Sequence, residues 1–227
     1  MLKIMLWIAL LLLSACAQQP GKPLQIQALE QLPALAAEFE TIVESDGGQQ
    51  RYQWRFWRTA KRVETHNLQD NTGEIWTKSA DGKIAYERVF HDQQQVIEYT
   101  PGDLNAIGSV PDWSAIATLL NQPMIAGLVE DDHEQVLGRP ASHYQSNTLE
   151  VTWLDREQLP ALIKRNDHGH TITTRVIGIY PLAESPWSYQ RSTNYRYTDF
   201  ADIGDKESDP FIQSIQHKIK GAHNHSD

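Results

Sequence analysis

The sequence has a single cysteine, Cys16, among 227 residues. No disulfide can therefore form within the chain. Positive charge is also scarce: 20 Lys and Arg stand against 29 Asp and Glu, for a net charge of −9. That balance argues against a nucleic-acid partner, which needs a basic face. It argues equally against docking on anionic lipid by charge. The chain has no G-x-S-x-G, no P-loop, no G-x-G-x-x-G and no H-E-x-x-H. No enzyme class and no cofactor is indicated. What the sequence has in quantity is aromatic residues, 7 Trp and 8 Tyr. Such side chains suit strands and the linings of apolar cavities. The length is right for one medium domain.

The lone thiol has a particular setting. Lys3 is a short positive segment, and residues 5–13 are an apolar stretch too short to span a bilayer. Small residues Ser14 and Ala15 then lead to Cys16. The tetrapeptide "LSAC" resembles the bacterial lipobox. In that family the cysteine takes a diacylglyceryl group, the chain is cut just before it, and the new amine is acylated. The resemblance implies that Cys16 is a membrane anchor and that residues 1–15 are a removed signal peptide. Several acyl chains hold a protein stably where one does not. Ala17 follows the cysteine, which by the lipoprotein sorting pattern implies the outer membrane. Residues 16–26, polar and carrying Pro and Gly, read as a tether.

Beyond the tether, Leu29, Leu32, Ala36, Phe39 and Val43 recur at helical spacing, so an amphipathic helix is expected up to "DGG" at 46–48. From Gln50 the period becomes two. "RYQWRFW" sets Tyr52, Trp54 and Phe56 against Arg51, Gln53 and Arg55, the pattern of a half-buried strand. "KRVETHNL", "GEIWTKS", "KIAYERVF" and "QQVIEYT" read as further strands, with Asp81-Gly82 at a hairpin turn and "TPGD" as another turn. In "VPDWSAIATLLNQP", Asp112 can cap a short helix with Trp113, Ile116, Ala117 and Leu120 as its apolar stripe and Pro123 as its stop. Strands resume from "EQVLG" to "HTITTRVIGIYPL" and again in "STNYRYTDF". A last helix follows, capped by Asp209, with Pro210 in its first turn and Phe211, Ile215 and Ile219 on one face. The expected fold is α+β: a single curved antiparallel sheet covered by short helices. The domain spans 27–220, and 221–227 is read as a disordered tail.

Three stretches carry a resemblance: "GEIWTKSADGKIAYERVFHDQQQVIEYTP", "VLGRPASHYQ" and "LEVTWLDREQLPALIKRNDHGHTITTRVIGI". The last has Trp153, Leu154, Asp155, Leu159, Pro160, Asp167 and Gly169 in a W-L-D…L-P…D…G pattern. Over roughly residues 50–180 the chain resembles the lipoprotein localisation (Lol) superfamily of carriers, receptors and their sensor relatives. The resemblance implies an unclosed half-barrel with a helical lid and an apolar cavity for an acyl chain, lipid or lipoprotein. The candidate lining is Trp54, Phe56, Trp76, Tyr86, Val151 and Trp153 from strands, with Trp113, Ile116 and Leu120 from the central helix. For each of these, packing in the protein's own core is the alternative.

A second reading has a filled core and an envelope interaction role, with Asp199, Asp202, Asp205, Glu207 and Asp209 taking a divalent cation. Their spacing does not match an EF-hand loop. The pairs His168/His170 and His223/His225 do not by themselves make a metal site, which needs three or four converging ligands.

Overall fold

The computed structural model describes residues 21–190 and 192–220. Cys16, the expected signal peptide and the expected C-terminal tail lie outside the described residues. Among the described residues no helix is long and apolar enough to cross a membrane.

Six strands come first: β1 (Leu35–Ser45), β2 (Gly48–Arg58), β3 (Arg62–Asn67), β4 (Thr72–Lys78), β5 (Ile84–Phe90) and β6 (Gln95–Tyr99). Three short helices follow, α1 (Pro101–Ala106), α2 (Trp113–Thr118) and α3 (Gln122–Ile125). Five more strands then form: β7 (Val129–Val136), β8 (Arg139–Gln145), β9 (Leu149–Leu154), β10 (Leu159–Asp167) and β11 (His170–Pro181). The chain ends with β12 (Arg196–Asp199) and α4 (Pro210–Lys220). All the strands belong to one unclosed sheet, in the order β12-β6-β5-β4-β3-β2-β1-β11-β10-β9-β8-β7. The expected α+β half-barrel with short covering helices is what forms.

Four local expectations need correction. Residues 35–45 are not a helix but β1, paired along its length with β2 and β11. A helix there would leave both neighbours with unpaired edges. The sheet is not wholly antiparallel, because β12 runs parallel to β6. Its chain reaches the β6 edge by crossing the sheet face rather than through a hairpin. "TPGD" opens α1: Thr100 accepts from the Asp103 amide, and Asp103 reaches back to the Thr100 amide in a capping box. Finally, α2 ends at Leu119, in the left-handed region at φ 63°, and Pro123 lies in the first turn of α3 rather than stopping α2. The Asp112 cap, the Asp209 cap and the Asp81-Gly82 turn form as expected, with Gly82 at φ 85°.

Register separates the two faces of the sheet. Leu35, Arg58, Val63, Trp76, Tyr86 and Tyr99 lie in one cross-strand row, and Ala37 and Phe56 lie in the next inner row. This inner face carries α1–α4. The outer face shows the row Ala36, Trp57, Glu64, Ile75, Glu87 and Glu98. Residues 182–190 and 192–195 cross the outer face as a strap, after which the chain rounds the β6 edge and α4 returns to the inner side. There Ile212 and Ile215 are buried against Phe90, Ile97 and Tyr99. Part of the expected tether is docked: Pro23 bridges Val129, and Leu24 is buried beside Leu128 and Tyr144.

Candidate functional site: the inner face of the half-barrel

The inner face is built by alternation. On β2, period two sends Trp54, Phe56 and Arg58 inward, and pairing aligns each with β1 and β3 neighbours. Trp54 stacks on Phe39, with ring centroids 4.5 Å apart, and its Nε1 donates to Thr41 Oγ1 at 3.0 Å. Phe56 meets the edge of Phe39. Trp76 stacks on Tyr86 directly across the β4–β5 pair, at 4.1 Å. Tyr86 Oη donates to Glu74 at 3.1 Å, and burial raises its pKa well above the ordinary phenol value.

Trp113, Ile116 and Leu120 come down from α2 and its C-terminal turn. The Lys78 ammonium lies 6.0 Å from the Trp113 ring centroid. The nine candidate residues form a connected surface rather than one point. Phe56, Trp113, Trp54, Trp76 and Ile116 share the main core cluster, Tyr86 joins through Trp76, and Leu120, Val151 and Trp153 make a neighbouring cluster with Leu128 and Tyr144. Phe56, Leu120, Val151 and Trp153 have 0% exposure. Trp54, Trp76 and Ile116 are only partly buried, as are Ile84 and Leu119 beside them.

Sequence reasoning missed two parts of this face. The helical spacing of residues 29–43 hides Leu35, Ala37 and Phe39 as inward residues of β1. Arg58 is the second. It is fully buried, and its guanidinium donates to Pro33 O at 3.2 Å, to Ala117 O and Gln158 O at 2.8 Å each, and to Glu157 O. Burial lowers its pKa to about 10, which leaves it charged at neutral pH. The signal was present: the alternation that places Trp54 and Phe56 inward also places Arg58 there.

Other chemistry is sparse. Ser142 Oγ lies 3.3 Å from His133 Nδ1, but it donates to Asp155 at 3.0 Å, and the same Nδ1 is the atom that faces Glu130. A relay needs the two imidazole nitrogens to face different partners. Among the described residues no group of three His, Cys, Asp or Glu side chains could hold a metal ion. His168 faces Asp167 at an exposed turn. In the acidic segment, Asp199 caps the Ala201 amide, Asp202 faces Lys206 at 3.7 Å, and Asp209 caps α4 while pairing with Arg196 at 3.2 Å.

An unclosed α+β half-barrel with an apolar, helix-covered inner face is the class of protein that the fold defines. No protein-family model matches the chain, and no curated protein matches it. Solved structures similar to it include an outer membrane lipoprotein-sorting protein domain from Vibrio parahaemolyticus, at 7% identity and TM-score 0.34, over 74% of this chain and 92% of that one. A LolA superfamily protein from Nitrosomonas europaea is similar at 8% identity and TM-score 0.35, over 69% and 89%. The MucA/MucB complex of Pseudomonas aeruginosa is similar at 12% identity and TM-score 0.39, over 67% and 53%.

Proposed function

We propose that the protein is an envelope lipoprotein, held to the periplasmic face of the outer membrane through lipidated Cys16, that binds an acyl chain, lipid or lipoprotein. The ligand lies between α1–α3 and the inner face, against Trp54, Phe56, Trp76, Tyr86, Trp113, Ile116, Leu120, Val151 and Trp153. The protein is a binder rather than an enzyme and uses no cofactor. One observation carries this reading: Trp54, Trp76, Ile84, Ile116 and Leu119 are partly open to solvent while touching the main core. An apolar rim thus stands beside a helix, α2, of only 6 residues. Displacing that helix would expose a continuous apolar surface, and each methylene buried there contributes about 0.8 kcal/mol. Because the helix's own contacts must be given up, binding is reversible, which suits a cargo that has to leave.

The test uses the chain with Cys16→Ser, which cannot be acylated. Native mass spectrometry is expected to find co-purified lipid, and a fluorescent fatty acid is expected to be taken up and then displaced by phospholipid. Trp54→Ala and Trp76→Ala should weaken uptake. Absence of both lipid and uptake would favour the second reading, an envelope interaction protein whose sheet is filled by its own side chains. The complete burial of Phe56, Leu120, Val151 and Trp153 is the observation on that side.

A further inference from the structure

On the outer face, away from the helices, a cavity of about 790 Å³ lies between the sheet and the strap. Trp57, Glu64, Ile75 and Glu87 form one cross-strand row of its floor, with Arg62 beside them, and Trp187, Tyr189 and Ser192 come from the strap. The volume is that of a small-molecule site.

Three aromatic rings meet there at right angles. Trp57 and Trp187 have centroids 5.4 Å apart, and Trp57 and Tyr189 5.2 Å apart. The Arg55 guanidinium already sits 4.9 Å over Trp187, so this ring is one that receives a cation on its face. On this face Arg62 stands against two carboxylates, Glu64 and Glu87, because the Arg58 side chain points to the inner side. Arg62 is held by Glu64, and Arg58 is held by backbone carbonyls. Glu87 is half-buried, and burial raises its pKa; Arg62, already paired with Glu64, lowers it, and the charges of Glu98 and Glu64 beside it raise it further. A carboxylate withdrawn from water beside like charges is costly, and a cationic ligand would offset that cost.

We propose that this cavity binds a small organic cation, an ammonium or guanidinium group on an apolar or aromatic body, with the charge at Glu87 and the body against Trp57, Trp187 and Tyr189. An anion is disfavoured because both guanidinium groups in the lining are already engaged. The net charge of −9 also draws cations toward the protein.

The experiment titrates the intact chain carrying Cys16→Ser with phenethylamine, following tryptophan fluorescence and amide chemical shifts. Phenylacetate serves as the anionic counterpart of the same shape, and N-acetylglucosamine as a neutral polar probe. Phenethylamine is expected to saturate and to shift strap amides near Trp187 and Tyr189, and phenylacetate should not bind. Glu87→Gln keeps the shape of the side chain and should weaken the amine about tenfold, with thermal stability retained. The proposal is overturned if phenylacetate or N-acetylglucosamine binds as tightly as the amine. It is overturned equally if Glu87→Gln leaves amine affinity unchanged, or if no amine binds in the millimolar range. Fatty-acid uptake on the inner face is read separately and does not enter this result.

Discussion

Arg58 shows how one side chain can organise a fold. Its guanidinium joins the segment before β1, the end of α2 and the β9–β10 turn, all through carbonyl oxygens. Arg58→Met should cost about 3 kcal/mol or more, because several buried acceptors lose their donors at once. Equilibrium urea unfolding measures this, and Arg58→Lys should recover little, since one ammonium cannot span the three segments. His91 makes the opposite kind of statement. It lies under the strap, bonded to Tyr195 Oη at 3.1 Å, beside the rings of His66 and Tyr189. Burial and then His66 lower its pKa from 6.5 to about 4, while Asp92 pulls the other way. Between these values the unfolded chain binds more protons than the folded one, so stability is full above about 6.5 and falls as pH drops toward about 4. Unfolding free energies from urea titrations at pH 7 and pH 5 should differ by roughly 1 kcal/mol, a value reduced for solvent screening. His91→Gln should remove most of that difference.

At the scale of elements, the Asp112 and Asp209 caps and the Asp81-Gly82 turn are readable in the sequence, and the α1 capping box and β1 are not. In "LAAEFETIVES" the helical stripe and the strand alternation use overlapping residues, Phe39 and Val43 among them. The strand is central and covered on both faces, so Ala36 and Ala37 are both fully buried and the usual alternation is blurred. Its outer-facing Glu40 is buried between Arg51, at 3.1 Å, and Arg175, an arrangement invisible until β2 and β11 come together. The shared face of Trp54 and Phe56 on β2 followed from period two, whereas the side that Trp76 on β4 and Tyr86 on β5 take is set by the pairing register. The partly open rim of the site, by contrast, depends on where α2 comes to rest. Thr100→Ala, which removes the α1 cap, should cost about 1 kcal/mol in thermal or chemical unfolding. Gly73→Ala should cost more. A Cβ there would stand 2.4 Å from Tyr189 Oη and 2.9 Å from Thr65 O, lifting the strap from the sheet.

At the scale of the whole molecule, an unclosed sheet has two edges to protect. β12 is only four residues long, and β7 reads "VEDDHEQV". Charge on an edge strand discourages pairing with a second copy. Replacing Asp131, Asp132 and Glu134 together by Thr should therefore promote self-association, seen as a concentration-dependent rise in sedimentation coefficient. Wild-type protein should show no such rise over the same range. The proposed anchor acts at this scale too. Cys16→Ser should move the protein from the membrane fraction to the soluble fraction without changing its unfolding midpoint.

The sequence alone determined the alternation of most strands, the Asp112 and Asp209 caps, the Asp-Gly turn and the shared face of Trp54 and Phe56, because each depends on neighbours within a few residues. Tertiary structure decided the rest. It made residues 35–45 a strand, set β12 parallel to β6, enclosed Arg58 among carbonyls and laid Trp187, Tyr189 and Ser192 over an outer cavity. Each of these is a choice between partners distant along the chain. Such choices are settled by which backbone groups would otherwise stay unpaired and which apolar surface would otherwise stay wet.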